Sequence, residues 1–259
     1  MGGAHTPCAL TRAERAFHLQ SKMNITGLNL ASVRAVVFDV GGTLLTPHPS
    51  VGAVYAEILS RHGIELEDAI IEQRFIAAFR QLRNRSRTVI NESTERAFWR
   101  EIVALSIAPE CPENLREAVF DKLFIEFASA RRWRPLPGAV EILAALSARD
   151  DRPLAILSNW DARLHRVLAE LDWTRYFKEV FISSEIGAEK PDPRAFQLVE
   201  RALNLPSEAL LHIGDSFAQD YRAARAAGWQ AVLVGSPPPE HHATTLSVPT
   251  LHELSNLLF

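Results

Sequence analysis

The sequence predicts an α/β protein built on a mostly parallel sheet, with an α-helical unit inserted after the first strand. Two observations carry this. From residue 135 onward, short apolar runs alternate with segments of helical periodicity, the pattern of strand and crossover helix. Between residues 50 and 130, apolar side chains recur only at helical spacing. A chain of 259 residues with 47% hydrophobic and 23% charged residues can also bury a sizeable core.

The first strand is the run Val33, Val36, Val37 and Phe38, which stops at Asp39 and the pair Gly41-Gly42, a strand leading into a tight loop. Four helices and no strand follow, read from Val54, Ile58 and Leu59; Ile71, Phe75, Phe79 and Leu82; Phe98, Ile102 and Leu105; and Val119, Leu123 and Phe127. Pro135-Leu136-Pro137-Gly138 punctuates the chain. Strands are then expected at 154–157, 179–182, 209–213 and 230–234, and helices at about 139–147, 161–171, 194–203, 217–227 and 251–258. The expected organisation is a core of residues 31–46 and 135–259, a helical cap over 47–134, and a polar, mobile N-terminal extension over 1–30, of which residues 1–22 are dispensable. A chain begun at Met23 is expected to fold.

Charge and cysteine content narrow the function classes. Lys+Arg of 28 against Asp+Glu of 31 leaves a formal charge of −3, so no bulk positive field exists to hold nucleic acid or an anionic membrane, and neither is an expected partner. Cys8 and Cys111 lack metal-ligand spacing and read as free thiols of a reducing compartment. No run approaches the ~18 apolar residues of a membrane span, and residues 1–22 lack the apolar stretch of a signal peptide, so a cytoplasmic location is expected. The sequence carries no sign of oligomeric state.

Open parallel sheets bind ligands at the carboxyl ends of their strands. The residues there are Asp39, Ser158-Asn159, Ser183-Ser184 and Gly214-Asp215-Ser216. Asp39 and Asp215, each near glycine, outline a hard-cation site: magnesium takes one or two carboxylates and leaves positions for water and a substrate phosphate. Each aspartate alone reads equally as a turn cap.

The ordered set is more specific than any member. Asp39-x-x-x-Thr43, Ser158-Asn159, Lys190-Pro191-Asp192-Pro193, and Gly214-Asp215 with Asp220 stand in the stretches FDVGGTLL, ILSNWD, GAEKPDPRAF and GDSFAQDYRAARAAGW. Together they resemble the four motifs of the haloacid dehalogenase-like hydrolase superfamily, over about residues 34–234. The resemblance implies a Rossmann-like core, a helical cap between the first and second motifs, Mg²⁺ as cofactor and a small phosphorylated metabolite as substrate. It makes Asp39 the nucleophile that forms an aspartyl-phosphate, Ser158 a donor to a phosphoryl oxygen, and Lys190 the cation that neutralises charge there. It makes Asp39, Asp215 and the main-chain carbonyl of Gly41 the magnesium ligands, Thr43 and Asn159 substrate-binding residues, and Asp220 a support for Lys190 or the metal.

One position departs from the pattern. In phosphatases of the superfamily the residue two after the nucleophile is a second aspartate, the acid and base of the reaction; here it is Gly41. Positioned acid–base catalysis is typically worth ~10²–10⁴-fold, so the absence is large. Three readings follow. The first is a phosphatase whose leaving group needs little protonation, or one that recruits His48 or Asp161 as acid. Against those two stand plainer roles, a surface histidine between prolines and a helix cap. The second is a non-catalytic phosphate- or partner-binding protein. The third is a dehalogenase-like enzyme, which the intact Gly214-Asp215 disfavours. A glycine at 41 is also what a left-handed backbone would require. The cap arginines Arg80, Arg83, Arg85 and Arg87 read as a solvated face, because the span 47–134 holds 13 basic and 13 acidic residues.

Overall fold

The computed structural model describes residues 28–258 except Asn84, Ser86, Asp150 and Asp151. Six strands form one parallel sheet in the order β5-β4-β1-β6-β7-β8. They are β1 (Ala35–Phe38), β4 (Leu154–Ser158), β5 (Phe177–Ile182), β6 (Leu210–Gly214), β7 (Gln230–Val234) and the two-residue β8 (Ser247–Val248). A parallel strand covered on both faces must be apolar at every position, and β1 is buried throughout. Its residues alternate between faces. Val36 and Phe38 join Ile156, Ile213 and Val232 in one core layer, whereas Ala35 and Val37 join Ala155, Leu157 and Trp229 in the other. This is the Rossmann-like α/β core that the sequence implies, with β1 central and flanked by β4 and β6.

The cap helices are α1 (Val51–Ser60), α2 (Asp68–Arg83), α3 (Glu92–Ile107) and α4 (Glu113–Glu126). Local signals set their starts. Ser50 accepts from the Ala53 N–H to begin α1, and Asn91 with Thr94 forms a reciprocal capping box at α3. Their apolar faces close on a core of their own around Tyr55, Ile58, Ile71, Val103 and Phe120. The chain leaves and re-enters the sheet through a ribbon absent from the sequence reading, β2 (Leu45–Pro47) antiparallel to β3 (Trp133–Pro135).

In the core, α5 (Ala139–Ser147), α6 (Arg163–Glu170), α7 (Pro193–Leu203) and α8 (Leu251–Leu258) cover the sheet. The segment expected as one helix at 217–227 is instead a wide π turn, Phe217–Arg222, leading into a short helix, Ala223–Ala226. Gly138 has φ 87°, and a Cβ there would stand 2.7 Å from the backbone of His252, so glycine is needed where α5 starts against α8. Of the N-terminal extension, residues 1–27 lie outside the described residues. Leu28 and Leu30 pack on the core, and the Gln230 side chain bonds both the N–H and the carbonyl of Asn29, at 2.7 and 3.1 Å. Among the described residues no helix is long and apolar enough to cross a membrane.

Candidate active site

The ends of three neighbouring strands assemble the site. Asp39 follows β1, and its carboxylate is held at both oxygens: Oδ1 accepts from Ser158 Oγ at 3.0 Å and Lys190 Nζ at 2.9 Å, while Oδ2 lies 3.1 Å from Thr43 Oγ1. Lys190 Nζ also donates to Asp220 Oδ1 at 2.6 Å. Asp215, after β6, donates its N–H to Thr43 Oγ1 at 3.0 Å, and its Oδ1 stands 3.1 Å from the same hydroxyl. Two glycines make these approaches possible. At Gly42, with φ 87°, a Cβ would lie 2.5 Å from Asp215 Oδ2, and at Gly214 it would lie 2.3 Å from Asp220 Cγ. The π turn places Asp220 against Gly214, where its Oδ2 accepts the Ser216 N–H at 2.9 Å.

Charge is distributed unevenly among the three carboxylates. Asp215 sits in a recess that strips much of its hydration and beside Asp39 and Asp220, so its carboxyl is pushed up to about 7, although one edge opens to solvent. Burial alone would also raise Asp220, but Lys190 and His212 hold it well below the usual carboxylate range. Burial works against the Lys190 ammonium, and Asp220 and Asp39 overcome it, so Lys190 is held charged. His212 is pushed down by burial and then by Lys190; its Nε2 faces Asp220 Oδ1 at 3.1 Å, and its Nδ1 has no partner among the described residues, as fits a neutral ring donating through Nε2.

Asp39, Asp215 and Asp220 each offer an oxygen, all within 4.8 Å of one another. Hard oxygen donors at this spacing, one of them a carboxylate with a raised proton affinity, fit a divalent cation. Asp220 accepts from Lys190 Nζ and the Ser216 N–H, with a donor on each oxygen, whereas Asp39 Oδ2 and Asp215 Oδ1 share the single proton of the Thr43 hydroxyl, so Asp39 and Asp215 are the carboxylates that keep oxygens for an ion.

Asp39, Gly41, Ser158, Asn159 and Asp215 all line a cavity of about 550 Å³ between the sheet and the cap. Thr43 and Lys190 are brought to the same place but from behind, 0% and 2% exposed. The expectation that Thr43 binds substrate is therefore corrected: its hydroxyl is engaged by Asp39 and Asp215 and does not line the cavity. Asn159, by contrast, lines the cavity and also holds the lysine. Its amide clamps the Lys190 backbone, Nδ2 donating to the carbonyl at 2.7 Å and Oδ1 accepting the N–H at 2.8 Å, which positions the lysine. Neither alternative acid reaches the cavity. His48 is exposed outside it, and Asp161 is fully buried, forked onto the Arg163 guanidinium and accepting the Arg163 N–H where α6 starts.

Two features escaped the sequence reading. Trp160 packs on Trp133 with ring centroids 4.7 Å apart and covers Gly41, where an added Cβ would meet its Cζ3 at 3.4 Å, an ordinary contact. The left-handed backbone belongs to Gly42, so residue 41 is free of that constraint. Of the cap arginines, Arg80 and Arg85 are exposed as a solvated face would be, but Arg83 and Arg87 are largely buried and both pair with Glu189, the residue before Lys190, while Arg87 also holds Glu95 at 2.6 Å. No local pattern announces a pair whose members stand 106 residues apart. Glu189→Gln is expected to destabilise the protein by about 1–3 kcal/mol, because two partly buried guanidinium groups lose a charged acceptor. Urea unfolding checks this, and an unchanged midpoint would contradict it.

The sequence profile of the haloacid dehalogenase-like hydrolases matches residues 33–228. The chain is 34% identical to the Mus musculus haloacid dehalogenase-like hydrolase domain-containing protein 3 over 230 residues, 87% of this chain and 91% of that one. It is 31% identical to a phosphoserine phosphatase of Thermus thermophilus over 225 residues, 78% of this chain and 88% of that one. Among solved structures, the HAD-family protein YfnB from Bacillus subtilis, bound to magnesium, superposes with a TM-score of 0.67 at 21% identity, covering 87% of this chain and 98% of that one. The L-2-haloacid dehalogenase of Xanthobacter autotrophicus shares the fold with a TM-score of 0.60 at 21% identity, covering 87% and 98%. With four motifs in order, carboxylates converging at the strand ends and a family profile spanning sheet and cap, the chain belongs to the haloacid dehalogenase-like hydrolase family.

Proposed function

We propose that the protein is a magnesium-dependent phosphatase acting on a small phosphorylated metabolite through Asp39. The observation that carries the reading is the convergence of Ser158 Oγ and Lys190 Nζ on Asp39 Oδ1, with Asp215 beside them. The ammonium and hydroxyl that now hold the nucleophile stand where donors to a phosphoryl oxygen are needed. An Asp39 oxygen attacks phosphorus, the bond from phosphorus to the ester oxygen breaks, and the electron pair leaves with that oxygen. Water then attacks the aspartyl-phosphate at phosphorus and the carboxylate departs with its electron pair; one proton of the water stays on the released phosphate and the other passes through solvent to the departed oxyanion. Asp39, Asp215 and the Gly41 carbonyl would hold the magnesium, which when bound supplies positive charge to the phosphoryl oxygens. The relative named a phosphoserine phosphatase and the magnesium-bound YfnB support this reading. The test is phosphate release from acetyl phosphate with Mg²⁺ and with chelator. Release that needs Mg²⁺ is expected; none in either condition would overturn the reading, and turnover of 2-haloacids in chelator would favour dehalogenation.

The raised carboxyl of Asp215 gives this reading a pH signature. In the cation-free protein the folded state keeps a proton that the unfolded state releases, so ionisation of Asp215 erodes stability as pH rises from about 4 to about 7. A bound cation favours the ionised form, so protons and magnesium compete below pH ~7. The rise in melting temperature caused by Mg²⁺ is therefore expected to be larger at pH 8 than at pH 6, and Asp215→Asn is expected to abolish most of it. Equal shifts at both pH values would contradict the competition.

A further inference from the structure

Away from the carboxylates, the wall of the cavity is aromatic. Tyr55, Phe79, Trp99 and Phe124 come from the cap, Trp133 from the ribbon and Trp160 from the core. The rings brace one another, with Phe79 and Trp99 centroids 6.0 Å apart and those of Trp133 and Trp160 at 4.7 Å. Three arginines line the cavity; Arg80 is exposed, and the other two guanidinium groups are already engaged. Arg83 pairs with Glu189 and lies over Phe79, and Arg163 is forked onto Asp161 and stands 3.8 Å from the centroid of Phe124. The volume, about 550 Å³, suits a molecule of drug size. A sugar phosphate would set hydroxyl groups against these rings, each unmatched group lowering affinity about tenfold. A flat ring system gains instead from edge and face contacts.

The chemistry at Gly41 selects in the same direction by a separate argument. Neither His48 nor Asp161 lines the cavity, and position 41 offers no carboxyl group. Asp215 lines the cavity too, but a bound cation keeps it ionised, so a leaving group departs as its own oxyanion. A phenol, with a pKa of about 10, does so far more readily than an alkyl alcohol, whose hydroxyl is closer to water at about 15.7. Resting on the phosphatase reading, the geometry points to phosphate monoesters of aromatic hydroxyls as the substrate class, with the phosphoryl group at Asp39 and the ring system against the wall formed by Trp99, Phe124 and Trp160.

Binding and turnover separate this inference from the reading beneath it. Methyl-, phenyl- and 1-naphthylphosphonate carry a phosphorus–carbon bond that the proposed chemistry does not break, so their affinities in Mg²⁺ can be measured by calorimetry on the full chain. Naphthylphosphonate is expected to bind about 10- to 100-fold more tightly than methylphosphonate, the gain from burying a ring of that size. Trp99→Leu should shrink that ratio several-fold. The indole N–H of Trp99 has no partner among the described residues, so the substitution breaks no hydrogen bond, and Phe79→Leu provides the same test if the first variant unfolds. Equal affinities across the series would overturn the substrate class even if acetyl phosphate is hydrolysed. A steep series with no acetyl phosphate turnover would remove the phosphatase reading and leave the cavity as a binding site for aromatic phosphates.

Discussion

Asp39→Asn is expected to reduce phosphate release by roughly 10⁴–10⁶-fold, the range seen when one member of a hydrolytic unit is removed. Asparagine keeps the size of the side chain and removes the charge that attacks phosphorus. Loss of fold will not mimic this result. Lys190 keeps its 2.6 Å bond to Asp220, so no buried ammonium is stranded, and Ser158 and Thr43 can both accept from or donate to an amide in place of the carboxylate. The variant should melt close to the wild type while phosphate release falls to the blank. Retention of the wild-type rate would sink the mechanism, because among the described residues no other carboxylate combines a place on the cavity with Ser158 and Lys190 as donors.

The sheet was legible because a parallel strand buried on both faces has to be apolar at every position, as Ala35 to Phe38 are. The ribbon was not. Strands of three residues have no readable period, and Leu45 finds its partner Pro135 only after the whole cap has been threaded. Strand ends located Asp39, Ser158 and Asp215 from pattern alone, because topology dictates where ligands meet a parallel sheet. Lys190 lies in a loop between β5 and α7, where no periodicity operates, and only the resemblance found it.

The misread arginines share one cause: their partner is distant in the chain. Counting charge over 47–134 made Arg83 and Arg87 look balanced within the cap, yet the acid that holds both is Glu189 of the core. Thr43 and Asn159 carry the polar groups of substrate binders. Whether such a group faces a ligand or its own backbone depends on packing, and here Asn159 spends both ends of its amide on Lys190. Which of two adjacent glycines is conformationally necessary was equally hidden, since Gly41 and Gly42 are identical in sequence and differ only in φ.

That difference decides the second large effect. Gly41→Asp is expected to raise turnover of alkyl phosphates by up to ~10²–10⁴-fold, the usual contribution of a positioned acid and base. The backbone allows the change: Gly41 is not left-handed, and its Cβ would meet Trp160 at 3.4 Å, so the strain that would defeat a substitution sits at Gly42 instead. The new carboxyl would stand two residues from Asp39 and on the cavity, where a departing ester oxygen must emerge. Aryl phosphates should gain little, because a phenolate at a pKa of about 10 leaves without a proton. The comparison therefore uses one alkyl and one aryl phosphate on both proteins, with magnesium affinity measured alongside. A gain confined to the alkyl ester locates the wild-type barrier in leaving-group protonation. Efficient alkyl ester hydrolysis by the wild type would refute that account, and since His48 and Asp161 are both outside the cavity, Asp215 would be the first carboxyl group to test as the proton donor.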